Sequence, residues 1–156
     1  MIVVVMGVSG CGKSTVGQLL ASQLGYRFLD ADEFHPPANV AKMAAGMPLS
    51  DADRQPWLEL LNGKLRALDN AVLACSALKE SYRRLLANGI RDCRFVHLRG
   101  DIELIRARLS ERKHRYMPAS LLESQFDALE PPHGALAVDI AQPPARCVEI
   151  IVDTLR

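Results

Sequence analysis

Five aliphatic residues running straight into a glycine-rich segment decide most of what this chain can fold into: Ile2-Val3-Val4-Val5-Met6 is followed by Gly7-Val8-Ser9-Gly10-Cys11-Gly12-Lys13-Ser14. An apolar run of that length without alternation reads as a strand covered on both faces, the kind a parallel sheet uses. Beyond the glycines, Val16, Leu19, Leu20 and Leu24 recur at helical spacing. The segment therefore predicts a buried strand, a tight loop and an amphipathic helix. A glycine, a four-residue spacer and glycine-lysine-serine in that setting turn backbone N–H groups and a helix N-terminus toward phosphate oxygens. Gly7, Val8, Ser9, Gly10, Cys11, Gly12, Lys13, Ser14 and Thr15 form the expected nucleoside-phosphate cradle. Lys13 would neutralise the terminal phosphate and Ser14 would coordinate magnesium. Cys11 is read as a loop side chain, not a reactive thiol. The motif itself leaves open ATP or GTP, and a kinase or a nucleotide switch.

A second strand is predicted at Tyr26 to Leu29, with Asp30 and Asp32 just past it. On an extended segment both carboxylates would point to one side. Asp30 would then support magnesium, while Asp32 would orient an alcohol nucleophile or accept its proton. Val40, Met43 and Ala44 suggest a short helix ending near Gly46. Trp57, Leu58, Leu61, Leu65 and Leu68 make a longer stripe, predicted to start at Pro56 after a turn-like stretch from Pro48. Together, residues 38–68 read as a small substrate-facing helical insertion. Further strands are expected at Ala71 to Ala74, Arg94 to Leu98 and Ala135 to Val138, with helices around Tyr82, Ile105, Leu122 and Ile151. This is an α/β pattern of five parallel strands covered by helices, and 156 residues suit one domain.

His35, beside Pro36-Pro37, stands on the same rim as the two aspartates. Arg54, Lys79 and Arg83 would recognise an acceptor carboxylate if their elements enclose its pocket. Arg106, Arg108, Arg112, Lys113 and Arg115 concentrate positive charge ahead of Pro118, which suits a basic lid over residues 112–118 that closes on the nucleotide. Nineteen basic against eighteen acidic side chains give a net charge of +1, which argues against nucleic acid as a partner. There is no apolar run near the roughly 18–20 residues that span a bilayer, and Met1 leads directly into the first strand, so neither a membrane nor a secretory route is expected. Cys11, Cys75, Cys93 and Cys147 lack metal or redox spacing, and four free thiols fit a reducing, cytoplasmic setting. The scattered histidines form no zinc pattern.

Beyond the loop, the chain carries Leu29-Asp30-Ala31-Asp32, His35-Pro36, Asn39, Lys42-Met43, Gly46, Pro48-Leu49, Asp51, Asp53-Arg54 and Pro56-Trp57-Leu58. Cys75-Ser76-Ala77-Leu78-Lys79, Tyr82-Arg83, Ser124-Gln125-Phe126 and Leu129-Glu130 follow. With these residues the sequence resembles the small, thermoresistant-type gluconokinases, within the shikimate-kinase-like phosphate-loop kinases. The resemblance implies magnesium-dependent transfer from ATP to the 6-hydroxyl of D-gluconate, giving 6-phospho-D-gluconate and ADP, in a homodimer. It also implies Asp32 as the hydroxyl-orienting base and His35, Arg54, Lys79 and Arg83 on the acceptor side. Another small-metabolite kinase, such as a shikimate kinase, is the alternative. Two departures stand out. The stretch from Trp57 to Cys75 is several residues shorter than the family pattern, and Arg115-Tyr116 stands where that pattern has His and an aromatic residue. Lys13, Asp32, Arg112 and Arg115 are the expected catalytic set, with Arg108 at the nucleotide.

Overall fold

The computed structural model describes residues 1–110 and 119–156. Its strands are β1 (Ile2–Met6), β2 (Arg27–Asp30), β3 (Ala71–Ala74), β4 (Cys93–Arg99) and β5 (Leu136–Asp139). They form one sheet in the order β2-β3-β1-β4-β5, with every pairing parallel. The expected five-stranded α/β architecture is the observed one. β1 lies at the centre with all of its residues buried, which is why it carries no polar side chain.

Period-two alternation along β1 splits the core in two. Val3 and Val5 face α1 (Lys13–Leu24), α5 (Ile102–Ser110), α6 (Ala119–Ala128) and α7 (Pro144–Leu155). Ile2, Val4 and Met6 face α3 (Asp51–Arg66) and α4 (Glu80–Ala87). A short α2 (Pro37–Ala44) sits on the rim. Loops leaving the carboxyl ends of the strands converge on one side of the sheet, where ligands of open α/β folds bind.

Three local expectations are corrected. Leu19 is 44% exposed, because α1 turns Val16, Gly17, Leu20 and Ala21 inward and leaves Leu19 off that stripe. α3 starts at Asp51, not at Pro56, because Ser50 and Asp53 form a capping box: Ser50 Oγ accepts from the Asp53 N–H at 3.1 Å, and Asp53 Oδ2 accepts from the Ser50 N–H at 2.9 Å. Pro56 then lies inside the helix, one turn after the exposed Ala52, whose carbonyl it has no N–H to bond. Finally, Asp32 is not on an extended segment. The chain turns into a 3-10 helix at Ala31–Phe34, capped by Asp30 Oδ1, which accepts from the Asp32 N–H at 3.0 Å.

Candidate active site

Backbone conformation builds the phosphate end. Gly10 and Gly12 hold φ of +84° and +94°, in the left-handed region that L side chains avoid, so the loop can curl back over the start of α1. The first turn of α1 has neither a side-chain cap nor an acidic residue. Its free N–H groups and the helix dipole favour an anion there. Lys13 Nζ donates to the Val8 carbonyl at 3.0 Å, so the ammonium already lies over the loop.

Beside it, Ser14 Oγ donates to Asp30 Oδ2 at 2.9 Å. A hydroxyl and a carboxylate at the mouth of a phosphate cradle are hard oxygen donors. They suit magnesium, which keeps most of its waters and takes one or two protein oxygens. Asp30 thus bonds both Ser14 and the Asp32 backbone, which fixes its carboxylate, while the Asp32 side chain is 69% exposed and opens into the cavity.

That cavity, about 1070 Å³, runs from Ser9, Lys13 and Ser14 past Asp30 and Asp32 to His35, Arg54 and Trp57. His35 stacks on Trp57 with centroids 3.9 Å apart and planes at 17°. Trp57 is itself anchored by Nε1 donating to the Ala31 carbonyl at 2.8 Å. Burial draws the His35 pKa below its usual value, against the pull of Asp32, and the ring is neutral at physiological pH. Arg54 donates through Nη1 to the Leu49 carbonyl and, at 3.2 Å, to Tyr82 Oη. Tyr82 Oη in turn donates to Asp51 Oδ1, which also accepts from Lys79 Nζ at 3.1 Å. These two bonds hold Asp51 below the usual carboxylate range.

The expected site residues therefore separate. Lys13, Ser14, Asp30, Asp32, His35 and Arg54 share the cavity wall. Lys79 stands behind it, tied to Asp51 and over the Tyr82 ring at 5.7 Å. Arg83 is not in the wall. It is buried, donating to the Ala77 carbonyl at 2.7 Å and the Glu130 carbonyl at 2.8 Å, with Glu80 at 3.2 Å. Arg108 also lies off the wall, its guanidinium on the Ile140 carbonyl just past β5. Arg112, Arg115 and the 112–118 lid fall outside the described residues.

Some contributors carried no assigned role in the sequence reading. Gln125 on α6 accepts from the Ser9 N–H at 2.7 Å and donates to Ser9 Oγ at 3.3 Å, joining α6 to the phosphate loop. Its place in Ser124-Gln125-Phe126, one of the segments that carry the family resemblance, was the available signal. Ser76 lines the cavity beside Ala77, whose φ of +45° is unusual for a residue with a Cβ. The thiols add no chemistry to this wall. All four cysteines are free, and burial pushes Cys75 up to about 12 and Cys93 up to about 11, leaving both protonated at neutral pH.

Known proteins carry the same plan. The family profile described as shikimate kinase matches residues 9–128. The thermoresistant gluconokinase of Escherichia coli is 41% identical, with 99% of this chain and 93% of that protein aligned. A sugar kinase structure from Janibacter superposes with a TM-score of 0.94 at 42% identity, covering 99% of this chain and 93% of the other. A gluconokinase structure from Sinorhizobium meliloti gives 0.88 at 41% identity, covering 98% and 94%. A phosphate-loop cradle with two carboxylates beside it, in a chain this similar over its whole length, places the protein in the gluconokinase family, within the shikimate-kinase-like phosphate-loop kinases.

Proposed function

We propose that the chain transfers the terminal phosphoryl group of ATP to the 6-hydroxyl of D-gluconate, giving 6-phospho-D-gluconate and ADP. The observation that carries this reading is one continuous cavity with an anion cradle at one end, Asp32 in the middle and Arg54 beyond it. A linear hydroxy acid has matching groups at its two ends: a carboxylate for the guanidinium and a primary hydroxyl for the aspartate.

Loop N–H groups and the α1 N-terminus bind the phosphates, and Lys13 exchanges the Val8 carbonyl for a phosphate oxygen. Ser14 and Asp30 would hold magnesium, which would supply neutralisation of phosphate charge. Asp32 orients the acceptor hydroxyl and accepts its proton as the new O–P bond forms. Arg54, steadied by Leu49 and Tyr82, fixes the distal carboxylate. Lys79 and Arg83 keep that wall in place without touching the acceptor. Arg112 and Arg115 are assigned to neutralising the charge on the phosphates, a role from which the contact with the Ile140 carbonyl withholds Arg108. The same reading makes the protein a cytoplasmic homodimer; among the described residues no helix is long and apolar enough to cross a membrane.

Incubation with magnesium-ATP and D-gluconate should yield ADP and 6-phospho-D-gluconate in equal amounts, resolved by mass. A product with shikimate and none with gluconate would overturn the acceptor assignment.

A further inference from the structure

We propose that Asn39 fixes the tautomer of His35, holding it as the neutral Nε2–H form so that a hydrogen-bond donor faces the cavity beside the Asp32 carboxylate. This goes beyond the proposed transfer reaction but takes its functional meaning from it. Asn39 has only 3% of its surface exposed, and its side-chain nitrogen lies 3.0 Å from the Asp53 carbonyl oxygen and 3.3 Å from His35 Nδ1. A backbone carbonyl only accepts, so the Asn39 atom facing it must be the amide NH2 and not the amide oxygen. Its second hydrogen is then directed at His35 Nδ1, which must present a lone pair. A proton on Nδ1 would set two donors against each other in a buried place, at the cost of an unmade bond.

The ring proton therefore belongs on Nε2. That nitrogen is 3.9 Å from Asp32 Oδ1, too long for a direct hydrogen bond. A half-turn of the ring would keep its plane against Trp57 but put Cδ2 in place of Nδ1 and lose the Asn39 bond, and the His35 side chain is only 4% exposed. Nε2–H and the Asp32 carboxylate thus stand side by side as donor and acceptor. An alcohol oxygen between them accepts from His35 while its hydrogen is given to Asp32. Asn39 acts through His35 and touches no substrate, so it is a positioning residue.

Asn39 is in turn set by its neighbours. Asp53, whose carbonyl receives the Asn39 amide, has its side chain locked by Lys42 at 2.8 Å and by the Ser50 N–H at 2.9 Å. The α3 capping box and the tautomer of His35 belong to one network.

Long-range 15N–1H correlation of the His35 imidazole in the unliganded wild-type protein at pH 7–8 tests this without any substitution. The expected result is one species, with Nε2 protonated and Nδ1 bare; an Nδ1–H species or a fast mixture overturns the proposal. Asn39→Ala should then release the ring into a tautomer mixture and lower kcat for D-gluconate on the order of 10-fold, with KM for ATP unchanged. Retention of the single Nε2–H form in Asn39→Ala removes Asn39 from the role. The spectrum is read without turnover, so a chain inactive on gluconate leaves this test intact. A gluconate kinase whose His35 is Nδ1–H sinks the inference while the activity stands.

Discussion

The two ends of the cavity are built by different means. At the phosphate end the shape comes from consecutive backbone: positive φ at Gly10 and Gly12, and the bare first turn of α1. At the acceptor end it comes from side chains reaching between elements, as when Asn39 meets Asp53 across 14 positions or Tyr82 meets Asp51 across 31. A cradle made of N–H groups accepts any nucleoside phosphate, whereas a wall made of selected side chains chooses the acceptor. Changes at the first end should therefore impair transfer whatever the acceptor, and changes at the second should alter which acceptor is used and how tightly.

Lys13→Ala gives the largest expected effect. It removes the one loop cation already lying over the cradle, and kcat should fall about 10³-fold with the fold intact. Near-normal turnover by a folded variant would take Lys13 out of phosphoryl transfer. Asp32→Asn keeps the size and loses the proton acceptor. Single-turnover transfer should drop about 10²- to 10³-fold while ATP affinity holds. Asp30→Asn should mainly raise the magnesium concentration needed for half-maximal rate, since its carboxylate is bonded to Ser14 and the Asp32 N–H. A magnesium titration identical to wild type would break that division between the two aspartates.

Arg54→Ala tests the other end. Losing a charge-assisted contact to a carboxylate should raise KM for gluconate about 10- to 100-fold and leave KM for ATP nearly unchanged. Equal changes in both constants would mean that the two ends are not separable.

The same contrast decides what could be read from the sequence. The phosphate cradle and the five strands follow from short-range signals: an apolar run, glycine spacing, helical periodicity. Asp30 and Asp32 were both legible as site residues, but not the reason for their placement, because the turn at Ala31 is closed by Asp30's own side chain and not by strand pleat. Arg83 shows the limit most clearly. A cation after β3 looks the same in sequence whether it faces a ligand or a carbonyl, and only the docking of α6, which brings the Glu130 carbonyl to 2.8 Å, turns it inward. Gln125 and Asn39 are legible only once distant partners are placed.

Arg83 also supplies a test in which stability and binding diverge. Arg83→Met fills similar volume but leaves the Ala77 and Glu130 carbonyls without their donor, so unfolding free energy should fall by about 2–4 kcal/mol. KM for gluconate should rise less than in Arg54→Ala. The reverse, full stability with a large KM change, would put Arg83 in contact with the acceptor.

The smallest expected effect concerns His97, buried on β4, whose pKa is drawn down to about 4 by desolvation first and by repulsion from Arg99 and Arg83. Between pH 6.5, the ordinary value, and pH 4 the unfolded chain takes up a proton that the folded chain refuses. Stability is then full above 6.5, declines as pH falls through that window, and levels off below 4. The decline should amount to about 1–3 kcal/mol at pH 4, since each unit of pKa difference is worth about 1.4 kcal/mol. Asp53, held at about 2 by Lys42 and Ser50, loses its contribution only between the ordinary 3.8 and 2, so the two windows do not overlap. Urea unfolding of wild type and His97→Gln from pH 7.5 to 4.5 separates the contributions: the variant should lose the His97 part of the slope below 6.5 and keep the part that His35, also drawn down by burial, supplies. Arg83→Met should share part of that flattening, because removing the guanidinium lets His97 protonate at higher pH. Parallel slopes in all three proteins would show that the burial of His97 and its cationic neighbours Arg99 and Arg83 do not govern the acid sensitivity of this half of the core.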